Sequence, residues 1–439
     1  MKKRYAMAGA SSRAAGMFCE PIQKDFSDVA EVVGVMDINR RRMQALNYFL
    51  KKPVPMYTDF DKMLRETKPD AVIVTTKDAF HHQYIIAALE AGIDVITEKP
   101  MTIDEEKCRA ILAAEQRTGR KVTVTFNYRY SPLRRRVKEL LMEKRIGDIL
   151  SVDFHWYLDT SHGADYFRRW HRRMENSGGL LVHKATHHFD IVNWLTESQP
   201  EEVFAHGRLN FYGPKRAERG ERCLTCDHKR TCNFFYDLTA NERLVKFYLE
   251  AEQEDGYIRD ACVFAPEIDI YDTMSAVVRY TNGIQLSYSL VAYLPYEGWR
   301  LSLNGTRGRL DVIEMESRPQ NVTGKDFVNV FPAREADDII YLFPHFQPAE
   351  TVHVPKGEGE HAGGDPLLQR AIFHGLESDP LRLQAGSWDG AMSILIGIAA
   401  NKSIATGRPV KIADLLRQGE SRTQSAEHPV IKEIFHNFT

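Results

Sequence analysis

The sequence predicts two α/β units in succession: a doubly wound parallel sheet, then a second α/β domain on a large open mixed or antiparallel sheet. Three observations carry this. In the first hundred residues, short continuous apolar runs alternate with amphipathic stretches, as a parallel sheet covered by helices on both faces requires. From about residue 121 apolar and polar residues alternate instead, the period-two pattern of strands with one face in a core. The chain has 439 residues, 43% hydrophobic and 27% charged, which is ordinary for a folded protein and long enough for two cores.

Taken in order, the buried-strand runs are residues 5–8, 32–36, 71–75 and Asp94–Thr97. Pro21 falls inside the first expected helix, so that helix should end or bend near Glu20, with a second short piece after it. These runs define a first domain over residues 1–125. The second, residues 126–439, opens with the continuation of a strand at 122–126 and a basic helix around 134–144. Strand-like alternation follows at 151–157, 276–280, Gln285–Leu294 and 300–303, with Asn282-Gly283 as a two-residue hairpin turn. Residues 213–262 look inserted, and residues 320–364 read as loop. The last strong helix, 391–406, is stopped by Gly407 and Pro409. There is no internal repeat.

Charge narrows the partners. The sum of 58 basic and 60 acidic residues is −2, without the broad positive field that nucleic acid or an anionic membrane attracts. No run approaches the roughly 18 apolar residues of a membrane span, and the apolar stretch after Lys2, Lys3 and Arg4 is too short for a signal peptide. Six cysteines are too few for a secreted disulfide scaffold. The expectation is a cytoplasmic protein with a small-molecule partner.

The turn after the first strand reads Gly9-Ala10-Ser11-Ser12-Arg13-Ala14, where a dinucleotide fold carries G-x-G-x-x-G. That motif serves a tight turn, close backbone approach to a pyrophosphate, and close packing of helix on strand. Only its first glycine is present; Ser11 adds a Cβ where the phosphate approaches, though its hydroxyl can donate to it. An ordinary strand-to-helix turn explains these six residues equally well. Asp37 weighs for the nucleotide, because it ends the second strand, where a carboxylate accepts both ribose hydroxyls of NAD and repels the 2′-phosphate of NADP. Arg40, Arg41 and Arg42 follow at once. One of them, with Arg41 the candidate, could hold that phosphate; otherwise they form a solvated helix face.

Glu98-Lys99-Pro100 follows the strand Asp94–Thr97, at the carboxyl edge where ligands of doubly wound sheets bind. Alone, such a tripeptide is ordinarily a surface turn. Its setting, residues 68–101, reads KPDAVIVTTKDAFHHQYIIAALEAGIDVITEKPM and closely resembles the Gfo/Idh/MocA family of oxidoreductases. Asn127-Tyr128-Arg129 resembles that family's N-x-R element, the segment from Gly178-Gly179-Leu180-Leu181 to Asp190 its glycine-led catalytic helix, and Gly305-Thr306-Arg307-Gly308 its late hairpin. The resemblance implies a Rossmann domain followed by an α/β domain whose open sheet makes oligomer contacts, in a homodimer or tetramer.

It also implies site residues. The family's E-K-P lysine falls on Lys99, the histidine of its D-x-x-x-H-x-x-D helix on His187, and the trailing aspartate on Asp190. His183 replaces the leading aspartate, which removes the usual carboxylate from the proton relay. Thr75, Thr76 and His81 resemble the loop beneath the nicotinamide ribose; with Gly9, Ser11, Ser12, Arg13, Asp37, Arg41, Glu98, Lys99 and Asn127 they are the expected cofactor contacts. His187 is expected to act as general base, since imidazole titrates near working pH, and Lys99 to stabilise the developing alkoxide. His183, four residues before His187, joins the catalytic candidates, although a histidine pair on a helix is otherwise more often a satisfied core feature. A metal on that pair lacks an evident third ligand. His162, Arg168, Trp170 and His171 lie in a polar, aromatic stretch suited to a polyhydroxylated ring; Arg129, Lys184 and His188 complete the expected substrate contacts.

Cys223-x2-Cys226-x5-Cys232 concentrates thiols unusually for a reducing compartment, and Cys262 offers a fourth ligand, with His228 a competitor. Structural zinc is the first expectation, an iron–sulfur centre the second, and unliganded thiols the bland alternative. Together these readings predict an NAD-dependent oxidoreductase acting on a secondary alcohol of a sugar, glycoside or cyclitol. Two rivals stand beside it. One is an NAD-dependent glycosidase working by transient ring-hydroxyl oxidation and elimination; the other is a nucleotide-binding sensor without catalysis.

Overall fold

The computed structural model describes residues 1–316 and 337–417. Its first sheet takes β1 (Lys3–Ala8), β2 (Ala30–Met36), β3 (Met56–Tyr57), β4 (Ala71–Val74), β5 (Asp94–Thr97) and β6 (Val122–Val124). The second takes β7 (Ile149–Asp159), β8 (Pro200–Arg208), β9 (Thr273–Tyr280), β10 (Gln285–Leu294), β11 (Gly298–Gly305), β12 (Gly308–Met315), β13 (Asp337–Pro344) and β14 (Glu350–Pro355). Two short strands from late in the chain, β15 (Ala385–Gly386) and β16 (Val410–Lys411), close one edge of each sheet.

The first sheet has the order β15-β6-β5-β4-β1-β2-β3, parallel except for β15. Residues 71–74 are all buried, as a strand covered on both faces demands. The order reverses between β1 and β4, so the crevice beyond their carboxyl ends lies at the switch point of a doubly wound sheet. The second sheet runs β14-β13-β12-β11-β7-β10-β9-β8-β16; only β7 and β10 pair in parallel. Its strands alternate, with Val152, Phe154, Trp156 and Leu158 of β7 buried and their neighbours more exposed. The long helix Ser387–Thr406 packs against this sheet, and Gly397 lets it touch the carbonyl of Leu181, so the helix carrying His183 is pressed toward the first domain.

Several expectations change. The first helix is interrupted just before Glu20 and a second short piece, Glu20–Lys24, follows as expected, but the interruption is a π-helical turn, Ala15–Cys19, after Ser12–Ala14. Pro21 lacks an N–H and would clash with the carbonyl four residues back; widening the turn relieves this, and the freed Met17 carbonyl accepts from Gln369 Nε2 at 3.0 Å. The stretch expected as loop holds β13 and β14, while its residues 320–336 lie outside the described residues. The insertion is longer than expected, filling the interval between β8 and β9. Its two ends are tied by Asp272, whose carboxylate accepts the N–H groups of Asn210, Phe211 and Tyr212 at 2.6–3.1 Å. Among the described residues no helix is long and apolar enough to cross a membrane.

Candidate active site

The turn after β1 is built around Gly9. Its φ is +105°, its N–H donates to Met36 O at 2.7 Å, and a Cβ there would lie 2.8 Å from the carbonyl carbon of Thr75. No other residue type tolerates both constraints. Ser11 turns out to be the helix N-cap, its Oγ accepting from Ala14 N at 3.1 Å, so the second glycine's place is held by a capping side chain. Asp37 reaches back from β2 to accept Ala10 N–H and Asn39 N–H, each at 2.8 Å, which fixes its carboxylate beside the turn. Burial pushes that carboxyl upward, against the two N–H donors and Arg42.

Several expected cofactor residues hold this crevice together. Arg13 bridges Glu98 and Asp365, each at 2.8 Å. Thr75 Oγ1 donates toward the carbonyls of Ala8 and Gly9. Both nitrogens of His81 face carbonyls, Pro100 O at 2.9 Å and Thr76 O at 3.0 Å, which locks the loop carrying Lys99 to the loop carrying Thr76. Thr76 and Ser12 stay partly exposed, and Ser12 Oγ accepts from Arg243 of the insertion at 3.2 Å. Asn127 Nδ2 donates to Asp365, while Asn127 Oδ1 is buried without a partner. A dinucleotide fits this set: a carboxylate at the end of β2, a glycine turn, and an orphaned carbonyl oxygen that an amide N–H would satisfy.

Gly178 and Gly179, at φ +67° and +73°, swing the chain into the short helix Leu180–His183, which breaks at Lys184 and resumes as Ala185–Thr196. Lys99 Nζ donates to His183 O at 3.2 Å, so lysine and helix converge. Burial, and then the neighbouring Lys184 ammonium, push Lys99 down to about 8; Asp78 and Glu98 oppose this. His187 stacks on Tyr128 with ring centroids 4.3 Å apart, and its Nδ1 is buried without a partner. Burial, followed by the charges of Lys99 and Lys184, drives its imidazole well below the ordinary value, so it is neutral at pH 7. His183 Nδ1 lies 2.5 Å from Asp78 Oδ2. The carboxyl group missing from the helix is therefore supplied by the first domain; burial pushes Asp78 well above the usual carboxylate range and His183 well below the ordinary imidazole value. Around His183 stand His171 (4.1 Å between centroids), with Trp170 stacked on it at 3.7 Å, and Tyr166 at 5.5 Å. Lys184 Nζ reaches Tyr128 Oη at 3.4 Å and lies 4.8 Å from the Trp156 ring.

Three expected substrate contacts lie elsewhere. Arg129 is buried in a bidentate pair with Asp190 (2.8 and 2.5 Å) and reaches Asp389 at 2.8 Å; its fork is consumed by carboxylates. His188 is turned toward the second sheet, with Nδ1 on Tyr288 Oη at 2.7 Å and its ring stacked on Trp156. Arg168 donates to Cys223 Sγ at 3.1 Å and to Phe234 O, so it belongs to the insertion. There Cys223, Cys226, Cys232 and Cys262 line one cavity of about 20 Å³. Their sulfurs are not gathered as ligands: among the described residues, the one group bringing three ligand atoms within 4.8 Å is Glu360, His361 and Asp365. Arg13 already pairs with both carboxylates of that group.

Asp78, Tyr128, Tyr166, His361 and Asp365 were missed by sequence reasoning. His361 sits 6.3 Å from the His187 ring and bonds Asp365 at 3.0 Å, on a strap whose left-handed residues His361, Ala362 and Gly363 are all uncommon conformers. Asp78 lay within the quoted stretch 68–101, but nothing local tied it to a histidine 105 residues away.

Residues 3–126 match the family model for the oxidoreductase family NAD-binding Rossmann fold, and residues 138–412 the model for the oxidoreductase family C-terminal alpha/beta domain. The chain is 40% identical over 435 residues to "Putative oxidoreductase YteT" of Bacillus subtilis (strain 168), covering 94% of this chain and 99% of that one. It is 26% identical over 184 residues to an inositol 2-dehydrogenase of Rubrobacter xylanophilus, covering 40% of this chain and 48% of that enzyme. Among solved structures, the WlbA dehydrogenase of Bordetella pertussis in complex with NADH and UDP-GlcNAcA shares the fold, with a TM-score of 0.63 and 17% identity over 94% of this chain and 99% of that one.

Proposed function

The chain belongs to the Gfo/Idh/MocA oxidoreductase family, and from that premise we propose that it transfers hydride between NAD and a secondary alcohol of a sugar, glycoside or cyclitol at the pocket between Lys99, His183 and His187. The observation that carries this reading is the convergence of a buried ammonium on the helix bearing two neutral imidazoles, at the carboxyl edge of a dinucleotide sheet. Gly9, Asp37, Asn127 and the turn around Ser12 would hold the cofactor, which when bound supplies hydride acceptance and return.

The protein's part is proton handling and orientation. In the oxidative direction the substrate hydroxyl donates its proton to neutral His187, and the Lys99 ammonium bonds the same oxygen as negative charge grows on it. Two of the three Lys99 protons are left after the bond to His183 O. Placing a proton on His187 next to Lys99 and Lys184 is unfavourable, and Glu98 and Asp78 offset part of that positive charge. The Asp78–His183 pair holds the second imidazole in one orientation, from which its other nitrogen bonds a neighbouring hydroxyl. Trp170, His171 and Tyr166 give the stacking wall and donors that a polyhydroxylated ring takes. The test is to add NAD and a panel of sugars, glycosides and cyclitols to the protein and follow NADH absorbance and aglycone release. NADH formed with a polyol supports the reading; aglycone released without net NADH selects the transient redox route; neither, with NAD bound, refutes both.

We infer separately that the cysteine cavity takes a structural zinc, whose binding would have to draw together sulfurs that do not stand at ligand distance from one another in this structure. Supporting this, Cys262 arrives from the far end of the insertion to line the same small cavity as Cys223, Cys226 and Cys232; burial pushes the Cys223 thiol up on balance, and Arg168 opposes that only in part. Zinc content of the purified protein near one per chain, with chelation lowering its melting temperature, is expected. Four freely titrating thiols in protein without metal would refute it.

A further inference from the structure

The three arginines after Asp37 leave the choice between NAD and NADP open in the sequence, because any of them could bind a 2′-phosphate. In the structure the insertion pairs with the guanidinium groups of Arg41 and Arg42 and with the backbone N–H of Arg40, whose own side chain is exposed. Glu254 Oε2 accepts the backbone N–H of Arg40 at 2.5 Å and of Arg41 at 3.3 Å, at the amino end of the helix Arg40–Phe49. The Arg41 guanidinium lies 3.8 Å from Glu254 Oε1, and Arg42 is paired with Asp255 at 2.5 Å. Asp255 also acts on Asp37, the ribose carboxylate.

This lobe is firmly seated. Asn39 Nδ2 donates to Ala251 O at 2.9 Å, Phe247 stacks on Phe49 with centroids 5.8 Å apart, and Arg243 bonds Ser12 and Glu20. A helix amino terminus with free N–H groups and adjacent arginines is the means by which a doubly wound fold holds an extra phosphate. Here a carboxylate from the second domain occupies that place.

We propose that Glu254 and Asp255 are specificity-determining residues that restrict the crevice to NAD by excluding the 2′-phosphate of NADP. The phosphate dianion would meet Glu254 where it needs N–H donors, and Arg42 would have to leave Asp255 to neutralise it. Selection is therefore exerted by the insertion across the domain boundary, in addition to Asp37. The inference rests on the dinucleotide reading of the crevice.

The test is calorimetric titration of the full chain with NAD and with NADP, for the natural protein, Glu254→Gln, and the double variant Glu254→Gln with Asp255→Asn. Both substitutions keep side-chain shape and an oxygen acceptor while removing charge. The natural protein is expected to bind NAD at least about a hundredfold more tightly than NADP, and the double variant to gain at least about tenfold in NADP affinity with NAD affinity held within about twofold. NAD bound normally but with an unchanged NAD-to-NADP ratio in the double variant would overturn the selection role alone. Failure of the natural protein to bind either dinucleotide would overturn the crevice reading with it.

Discussion

Replacing Lys99 by methionine separates the chemistry of the site from its stability. The side chain stays unbranched, becomes one atom shorter, and loses its charge, one donated bond to His183 O, and the two donors available to a substrate oxygen. A fall from 10.5 to about 8 means that holding the ammonium inside the fold costs about 3 kcal/mol at neutral pH. The sign follows from a depressed amine: the penalty is full below pH 8, shrinks as pH rises, and is gone above 10.5. Lys99→Met is therefore expected to melt at the same temperature or higher at pH 7. Its turnover should fall by about 10²- to 10³-fold, the loss typical of removing a donor from a developing oxyanion, while NAD affinity stays within about twofold. The natural enzyme should also lose kcat/KM as pH rises through about 8, because at pH 7 about ten ammonium forms stand for each free amine and at pH 9 the ratio is inverted. Thermal melts, NAD titration and initial rates across pH 6–10 supply the measurements. Turnover by Lys99→Met within tenfold of the natural protein, with NAD bound, would refute the role of position 99.

Two other substitutions probe neighbouring claims. Asp78→Asn keeps the volume but removes the carboxylate from His183, and should lower kcat by at least about tenfold with NAD affinity unchanged; an unaltered kcat in steady-state kinetics would mean that His183 needs no partner. Arg129→Met leaves Asp190 buried without its counter-charge and should cost about 3–5 kcal/mol in chemical denaturation, with no specific rise in KM for the fraction that folds; a stable variant with raised KM would restore Arg129 to the substrate site.

What the sequence disclosed is what is written locally. Strands of β1, β2, β4 and β5 announced themselves by continuous apolar runs, because a strand buried on both faces has no other composition available. The hairpin between β9 and β10 was equally plain, although Tyr280 pairs with Ile284, so the turn is the three-residue loop 281–283 with only Gly283 left-handed at φ +87°, not a two-residue turn at Asn282-Gly283. Pro21 was legible as a disturbance but not as a π turn, whose cost is recovered through Gln369, almost 350 residues away. The same limit governed the site. Lys99, His183 and His187 could be picked out by setting and resemblance, whereas the carboxylate that serves His183 and the one that consumes Arg129 come from pairings 105 and 61 residues apart, with no periodicity to announce them.

The domain boundary thereby becomes the place where the site is assembled. Asp78 of the first domain orients His183 of the second; Asp365 of the second clamps Arg13 of the first; Glu254 and Asp255 of the insertion take up the arginines after Asp37. Each pairing is ionic or charge-assisted and each spans the two sheets, so any motion that parts the domains must break all three together.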